Sequence, residues 1–271
     1  MIPEVRNHHC RSELDVSERV LTLHINCFES ERGVYTQTSR GPNNNLLTTT
    51  YSTTTVTDIN RTNFKAAFIA SVNEHWNGKL WIGTSVPSSL DPISCAVQLQ
   101  FVDNATHAHL HMAMLHNPQP ASGPTVAFRS NCNLAGRSNT NADDMDLAFP
   151  LNGSASHTVF DVERRRMPTS DRGEQPFTQN TAAHEFGHYL GLNHTCFSAA
   201  TSNAAADYCH ERSQALQDRV MSLGNVVTGV EGQPWLDRLR RHHYHNDVSW
   251  YAFTEEARLD SGLMDSIARG H

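Results

Sequence analysis

Three histidines and one glutamate lie within eleven consecutive residues, at a spacing typical of metal-dependent hydrolysis. The segment reads H-E-x-x-H-x-x-G-x-x-H and contains His184, Glu185, His188, Gly191 and His194. Two histidines four residues apart share one face of a helix, so their imidazoles can bind the same ion. Three neutral imidazoles with one open position are the ligand set of catalytic zinc, whereas structural sites usually have four protein ligands. The spacing therefore predicts a catalytic Zn ion held by the three histidines.

Glu185 and Gly191 have separate predicted roles in this segment. Glu185 follows the first histidine and is expected to face the open side of the ion, where it can accept a proton from water. Gly191 is expected to adopt the left-handed conformation that ends a helix, which a residue with a Cβ adopts reluctantly. The chain can then turn sharply, and His194 can serve as the third ligand.

The high histidine content provides the simplest alternative, in which these side chains are ordinary core or solvated histidines. The chain contains 17 histidines in 271 residues. Even so, this composition gives a chance match to the five fixed positions of only on the order of 10^-4 for the whole chain. The zinc interpretation is therefore favoured.

The eleven-residue motif resembles that of the metzincin clan of zinc metalloendopeptidases, whose second mark is a methionine in a tight turn beneath the zinc. Met221 matches this methionine, within the run R-V-M-S-L-G-N. The resemblance covers only these two short segments. It implies an α+β catalytic domain with a mixed twisted sheet, a backing helix, a zinc-binding helix above the cleft, and a mostly irregular lower half with a C-terminal helix.

The family within the clan stays open. Astacins and serralysins carry a tyrosine two residues after the methionine, where this chain has Leu223. The residue after the third histidine is Thr195, where reprolysin-like enzymes typically show aspartate and astacins glutamate. The run G-L-x-H-T, followed by Cys196 and later Cys209, is similar to pappalysin-like members.

Hydrophobic patterns predict the elements that position the motif. A helix is predicted over residues 58–76, because Phe64, Phe68, Val72 and Trp76 recur every four residues. Sequence patterns predict strands at residues 19–28, 79–86, 95–102 and 106–115, and a short edge strand at 125–130. A C-terminal helix is predicted at residues 233–245. These elements suit one catalytic domain over residues 17–271, with an upper half at 17–194, a lower half at 195–271, and an irregular N-terminal segment at 1–16.

Two other clusters are compatible with metal binding. His107, His109 and His111 alternate along one predicted strand, and residues 139–146 read NTNADDMD. The first cluster is typical of the wet face of a sheet. The second lacks the glycine and distal glutamate of an EF-hand loop, so a solvated acidic loop is the default.

Charge and cysteine content limit the partners and the compartment. The formal net charge is -7, which disfavours nucleic acid as the main partner. The sequence contains no run of about 18 apolar residues, so it predicts no membrane-spanning helix. The first residues lack a secretory signal, so a processed form, a released fragment or signal-independent export are the alternatives. Six cysteines permit disulfides, and Cys196 and Cys209, which flank a short loop, are predicted to be bonded or adjacent.

The predicted function is that of a zinc-dependent endopeptidase that acts on a protein or peptide substrate. Because proteolysis in the cytosol of the producing cell would be harmful, we expect the protein to be secreted or delivered to a target cell, as a toxin-like effector is. The identity of any inhibitor or delivery partner stays open. Two alternatives share the site: a catalytically degenerate zinc-binding module, and a hydrolase of non-peptide amide or ester bonds.

Overall fold

The structure, a computed structural model, describes residues 5–6, 10–31, 34–40, 46–52, 58–84, 92–115, 119–120, 131–136, 147–148, 166–167, 175–176, 180–197, 209, 212–242 and 249–254. Its strands, in chain order, are β1 (Val5–Arg6), β2 (Arg11–Asp15), β3 (Val20–Glu31), β4 (Val34–Arg40), β5 (Leu46–Ser52), β6 (Leu80–Thr84), β7 (Ile93–Phe101), β8 (Leu110–Leu115), β9 (Gln119–Pro120), β10 (Asn131–Gly136), β11 (Leu147–Ala148), β12 (Arg166–Met167), β13 (Gln175–Pro176) and β14 (Trp250–Thr254). The helices are α1 (Asp58–Trp76), α2 (Thr181–Tyr189), α3 (Gln214–Gln217) and α4 (Gln233–Arg241), with 3₁₀ turns at Ala105–His107 and Gly229–Gly232.

The main sheet is mixed and is built around β3. Its order is β11-β10-β8-β3-β7-β6-β14, with β2 also paired to β3 and β1 to β2. β7 and β8 run parallel to β3, whereas β2, β6, β10, β11 and β14 add antiparallel pairings. Because β3 is 12 residues long, β2 pairs with its first half and β8 with its last residues. The fold is therefore α+β with a mixed sheet, as the sequence predicted at that level.

The prediction of an irregular N-terminal segment over residues 1–16 was wrong. β2 pairs antiparallel with β3, and Ser12 and Leu14 are buried while their neighbours are more exposed. The buried Ser12 hydroxyl lies 3.0 Å from Nε2 of His242. This contact explains the error, since a buried polar residue satisfied from the far end of the chain interrupts the apolar pattern by which a strand is recognised.

Helix α1 confirms the predicted limits of residues 58–76. Phe64, Phe68, Val72 and Trp76 are fully buried, as expected for apolar residues on one helical face. The chain leaves the helix through Gly78, which has a φ of +65°. α1 packs against α2 and the sheet in one hydrophobic core.

Helix α4 confirms the predicted C-terminal helix but ends at Arg241, earlier than residue 245. Trp235 anchors it, because its indole Nε1 donates to the carbonyl of Ala96 at 3.1 Å and its ring stacks 6.0 Å from that of Trp76. Residues 212–232 consist mainly of turns with the short helix α3. The chain then returns to the main sheet, where β14 pairs with β6.

Two predicted segments lie outside the described residues: the edge strand at 125–130 and the acidic cluster at 139–146. The described helices include none with the length and apolar character that crossing a membrane requires.

Candidate metal centre

The helix that carries the motif is fixed at both ends. The Asn180 side chain caps its first turn by accepting from the Ala183 amide at 3.0 Å, and the Ser71 hydroxyl donates to the same oxygen at 2.6 Å. Gly191 ends the helical segment with a φ of +93°, the predicted left-handed conformation. The reversal at this glycine directs the chain toward His194.

One side of α2 is packed into the core. Ala183 and Phe186 are fully buried, and the Trp76 indole donates to the Ala183 carbonyl at 3.1 Å. The rings of Trp76 and Phe186 meet edge to face at 6.1 Å. Because this packing fixes the rotation of the helix about its axis, it also fixes the direction of the histidine side chains on the same helix.

The three motif histidines converge on one point. One ring nitrogen from each of His184, His188 and His194 lies within 4.8 Å of the other two, and no other such group of three or more potential ligands occurs in the described part of the chain. His184 is 1% exposed, and the other two are half-buried. The sequence therefore predicted a grouping that the structure contains.

Backbone carbonyls orient two of the imidazoles. Nδ1 of His184 lies 2.7 Å from the carbonyl oxygen of Val220, and Nδ1 of His188 lies 2.8 Å from that of Leu192. Since a carbonyl oxygen only accepts, each Nδ1 carries the proton and each Nε2 presents its lone pair. Neutral imidazoles held in this tautomer are the usual state of metal-binding histidines.

These residues fit a metal ion. Nε2 of His188 lies 3.0 Å from Nε2 of His194, close to the roughly 3.3 Å edge of a tetrahedron with Zn–N distances of about 2.0–2.1 Å. Burial and the neighbouring His188 lower the pKa of His194 to about 4, so this ring is neutral at physiological pH. Three imidazoles suit several transition metals, and the geometry supports a metal site without distinguishing zinc.

The predicted methionine lies against helix α2. Met221 is 1% exposed, and a Cβ added to Gly187 of α2 would come within 2.2 Å of the Met221 sulfur. The Met221 carbonyl accepts from the Thr195 amide at 2.8 Å. The methionine and its turn therefore contact both α2 and the residue that follows the third histidine.

Glu185 is also buried. It follows His184 on α2 and is 6% exposed. Burying a carboxylate is costly unless polar or cationic partners surround it, and a bound cation would be such a partner.

The predicted bond between Cys196 and Cys209 is confirmed, because the structure contains this disulfide. Cys196 lies two residues after His194, so the bond restrains the segment that carries the third histidine. Among the described residues, Cys10, Cys27 and Cys95 are buried cysteines outside any disulfide, and burial raises the pKa of Cys27 to about 12.

The alternating histidines of residues 107–111 form no comparable group. Nδ1 of His109 accepts from the Asn26 amide at 2.9 Å, and the His111 ring meets that of Phe28 edge to face at 6.1 Å. The prediction of three histidines along one strand was wrong, because His107 lies in the 3₁₀ turn, His109 lies between that turn and β8, and His111 lies in β8.

Several residues that shape the site were not identified from the sequence. Asn180 occupies an N-cap position before the motif, a signal that an N-cap search would have found. Asn225 accepts from the Asn180 amide and links the methionine turn to the start of α2. The Thr228-x-x-Glu231 capping box also has a recognisable spacing. The sequence could not identify the Val220 and Leu192 carbonyls as acceptors, because every residue provides a backbone carbonyl.

No protein-family model matches the chain, and neither a curated protein nor a solved structure does.

Proposed function

We propose that the protein is a zinc-dependent endopeptidase of the metzincin type. The observation that carries the proposal is the convergence of His184, His188 and His194 on one point, on a helix that also buries Glu185. In the proposal these histidines hold zinc. When bound, zinc lowers the pKa of a coordinated water toward neutrality and polarises a carbonyl group.

The side chains around the site have distinct proposed roles. Glu185 accepts the proton of the attacking water and delivers it to the leaving amine, which is general base and then general acid catalysis. Val220 and Leu192 keep the first two imidazoles in the metal-binding tautomer through their carbonyls. Met221 provides an apolar floor against α2, a role that suits a soft thioether.

The substrate in this proposal is a protein or peptide, and the place of action is outside the producing cell or inside a target cell. The Cys196–Cys209 disulfide supports action outside the producing cell, because such bonds persist mainly in oxidising compartments. The net charge of -7 makes nucleic acid an unfavourable partner.

Paired variants test the mechanism. Glu185→Gln keeps the size of the side chain and the three imidazoles but removes the base, so cleavage should fall by about 10^2- to 10^4-fold with zinc retained. His184→Ala should lose zinc and cleavage together. The two variants are assayed beside the unmodified protein for zinc content by elemental analysis and for cleavage of an unfolded protein, with and without a chelator.

Each contrary result has a specific meaning. Near-normal turnover in zinc-loaded Glu185→Gln would show that Glu185 is not the base. A zinc-loaded, unmodified protein that cleaves no unfolded protein would contradict the peptidase proposal and favour a binding module or a hydrolase of other amide or ester bonds.

A further inference from the structure

We propose that Arg219 and Glu231 are positioning residues of the metal centre, acting through the turn that supports His184. The Glu231 carboxylate is almost fully buried, with 1% of the residue exposed. Nε of Arg219 donates to Oε1 of Glu231 at 3.0 Å, and Nη2 donates to the same oxygen. The other carboxylate oxygen accepts from the Thr228 amide at 2.8 Å and from the Thr228 hydroxyl at 2.6 Å. Four donors thus surround one buried charge.

Arg219 also begins the tight turn that contains Met221. Its carbonyl accepts from the amides of Ser222 at 2.9 Å and Gly224 at 3.2 Å. At the base of the loop, the amide of Val226 donates to the carbonyl of Asp218 at 2.8 Å, and the amide of Val220 donates to the carbonyl of Val226 at 2.8 Å. The backbone of Arg219 therefore closes the turn while its side chain fixes the turn to Glu231.

The same turn contacts the metal centre at two points. The Val220 carbonyl accepts from Nδ1 of His184 at 2.7 Å, and the Met221 carbonyl accepts from the Thr195 amide at 2.8 Å. A shift of the turn would therefore move the carbonyl that orients the His184 imidazole. It would also move Thr195, which follows the third histidine. Supporting groups of this kind determine metal affinity, although they do not touch the ion.

The far side of the ion pair leads into the packed core. Glu231 belongs to the 3₁₀ turn Gly229–Gly232, which leads directly into α4, and α4 is anchored in the core through Trp235. The Arg219–Glu231 pair consequently connects the imidazole-supporting turn to the packed core. The connection is directional, because both guanidinium donors converge on one oxygen.

Glu231→Gln tests this role with little change in volume. Glutamine offers one acceptor oxygen, and its NH₂ group must face either the Arg219 or the Thr228 donors. Asp237→Asn is the matched control, because Asp237 pairs with Arg240 at 3.0 Å on the exposed side of α4. Zinc affinity is measured by competition with a chromophoric chelator. The visible spectrum of the Co²⁺-loaded protein is recorded at metal saturation, so that it reports coordination geometry independently of affinity.

We expect zinc to bind about tenfold more weakly in Glu231→Gln, the low end of the range for outer-shell changes, together with an altered Co²⁺ spectrum. Asp237→Asn should differ from the unmodified protein by less than about twofold, since exposed ion pairs contribute little. A folded Glu231→Gln protein with unchanged zinc affinity and Co²⁺ spectrum would overturn the proposal, even if its melting temperature fell, because that pattern indicates a purely structural role.

Arg219→Lys keeps the inference testable if Glu231→Gln does not fold. Lysine retains the charge but loses the forked pair of donors, so zinc affinity should fall, by less than in Glu231→Gln; unchanged affinity would overturn the proposal. The inference rests on the proposed function only in so far as the metal centre is taken to be catalytic. Because its readouts are zinc affinity and the Co²⁺ spectrum, an absence of peptidase activity in the unmodified protein would defeat the proposed function without affecting this test.

Discussion

Two sets of three histidines in this protein show how spacing and surroundings decide what the same side chain does. His184, His188 and His194 lie on a helix and the turn that follows it, and their ring nitrogens converge within 4.8 Å. The other set, at residues 107, 109 and 111, alternates from a 3₁₀ turn into β8. Only His111 of this set belongs to a strand, and the three rings form no group of potential ligands like that of the first set.

The partners of the rings differ as much as their spacing. In the convergent set, backbone carbonyls of Val220 and Leu192 occupy the outer nitrogens of two rings, which leaves the inner nitrogens for a ligand. In the other set, Nδ1 of His109 already accepts a backbone hydrogen bond from Asn26. The two sets therefore differ in their partners: backbone carbonyls accept from two rings of the convergent set, whereas a backbone amide donates to one ring of the other set.

Replacing one histidine in each set by alanine should give the largest difference between the two sets. His184→Ala should reduce bound zinc to background, because one of three ligands is lost. His109→Ala should keep one zinc per chain but lower the free energy of unfolding by about 1–3 kcal/mol, since the Asn26 amide loses its acceptor. Elemental analysis and urea unfolding measure the two effects. Loss of zinc from His109→Ala would show that the second set contributes to metal binding.

Loss of the disulfide that restrains the segment after His194 should have the next largest effect, a lower free energy of unfolding. Reduction of the Cys196–Cys209 bond should lower the free energy of unfolding by about 3 kcal/mol, the value expected for closing a loop of this length. Urea unfolding with and without a reductant measures the change. The double variant Cys196→Ser/Cys209→Ser is the control and should be insensitive to the reductant. Equal stability of the oxidised and reduced native protein would contradict the expected restraint.

Acidification provides the smallest predicted effect. The pKa of His194 is lowered to about 4 by burial and by His188, whereas an unfolded histidine titrates near 6.5. Between these values the unfolded chain binds more protons, so the His194 contribution to stability is lost as the pH falls from about 6.5 toward 4. After allowance for solvent screening, the metal-free protein should lose about 1 kcal/mol more between pH 7 and pH 5 than His194→Gln does.

Urea unfolding of both proteins in the presence of a chelator measures this difference. Parallel losses in the two proteins would show that His194 titrates normally in the folded state.

Local patterns in the sequence were sufficient for α1 and for the histidine triad. The predicted limits of α1 match Asp58–Trp76, because four residues at helical spacing and the Asn77-Gly78 stop act over short distances. The triad depends on helix geometry and one glycine turn, which are also local. Such features can be predicted because few residues determine them.

Contacts between distant parts of the chain were not predictable in this way. β2 requires Ser12 to meet His242, and the start of α2 requires Asn180 to meet Asn225. The ion pair of Arg219 and Glu231 likewise connects two turns. No periodic pattern encodes these pairs.

X-ray absorption of the zinc-loaded protein tests most directly whether the three imidazoles form one metal centre. The expected spectrum has three imidazole nitrogens at about 2.0–2.1 Å, and His194→Ala should reduce that number to two. Sulfur ligation, or a zinc environment that is unchanged in His194→Ala, would contradict the account.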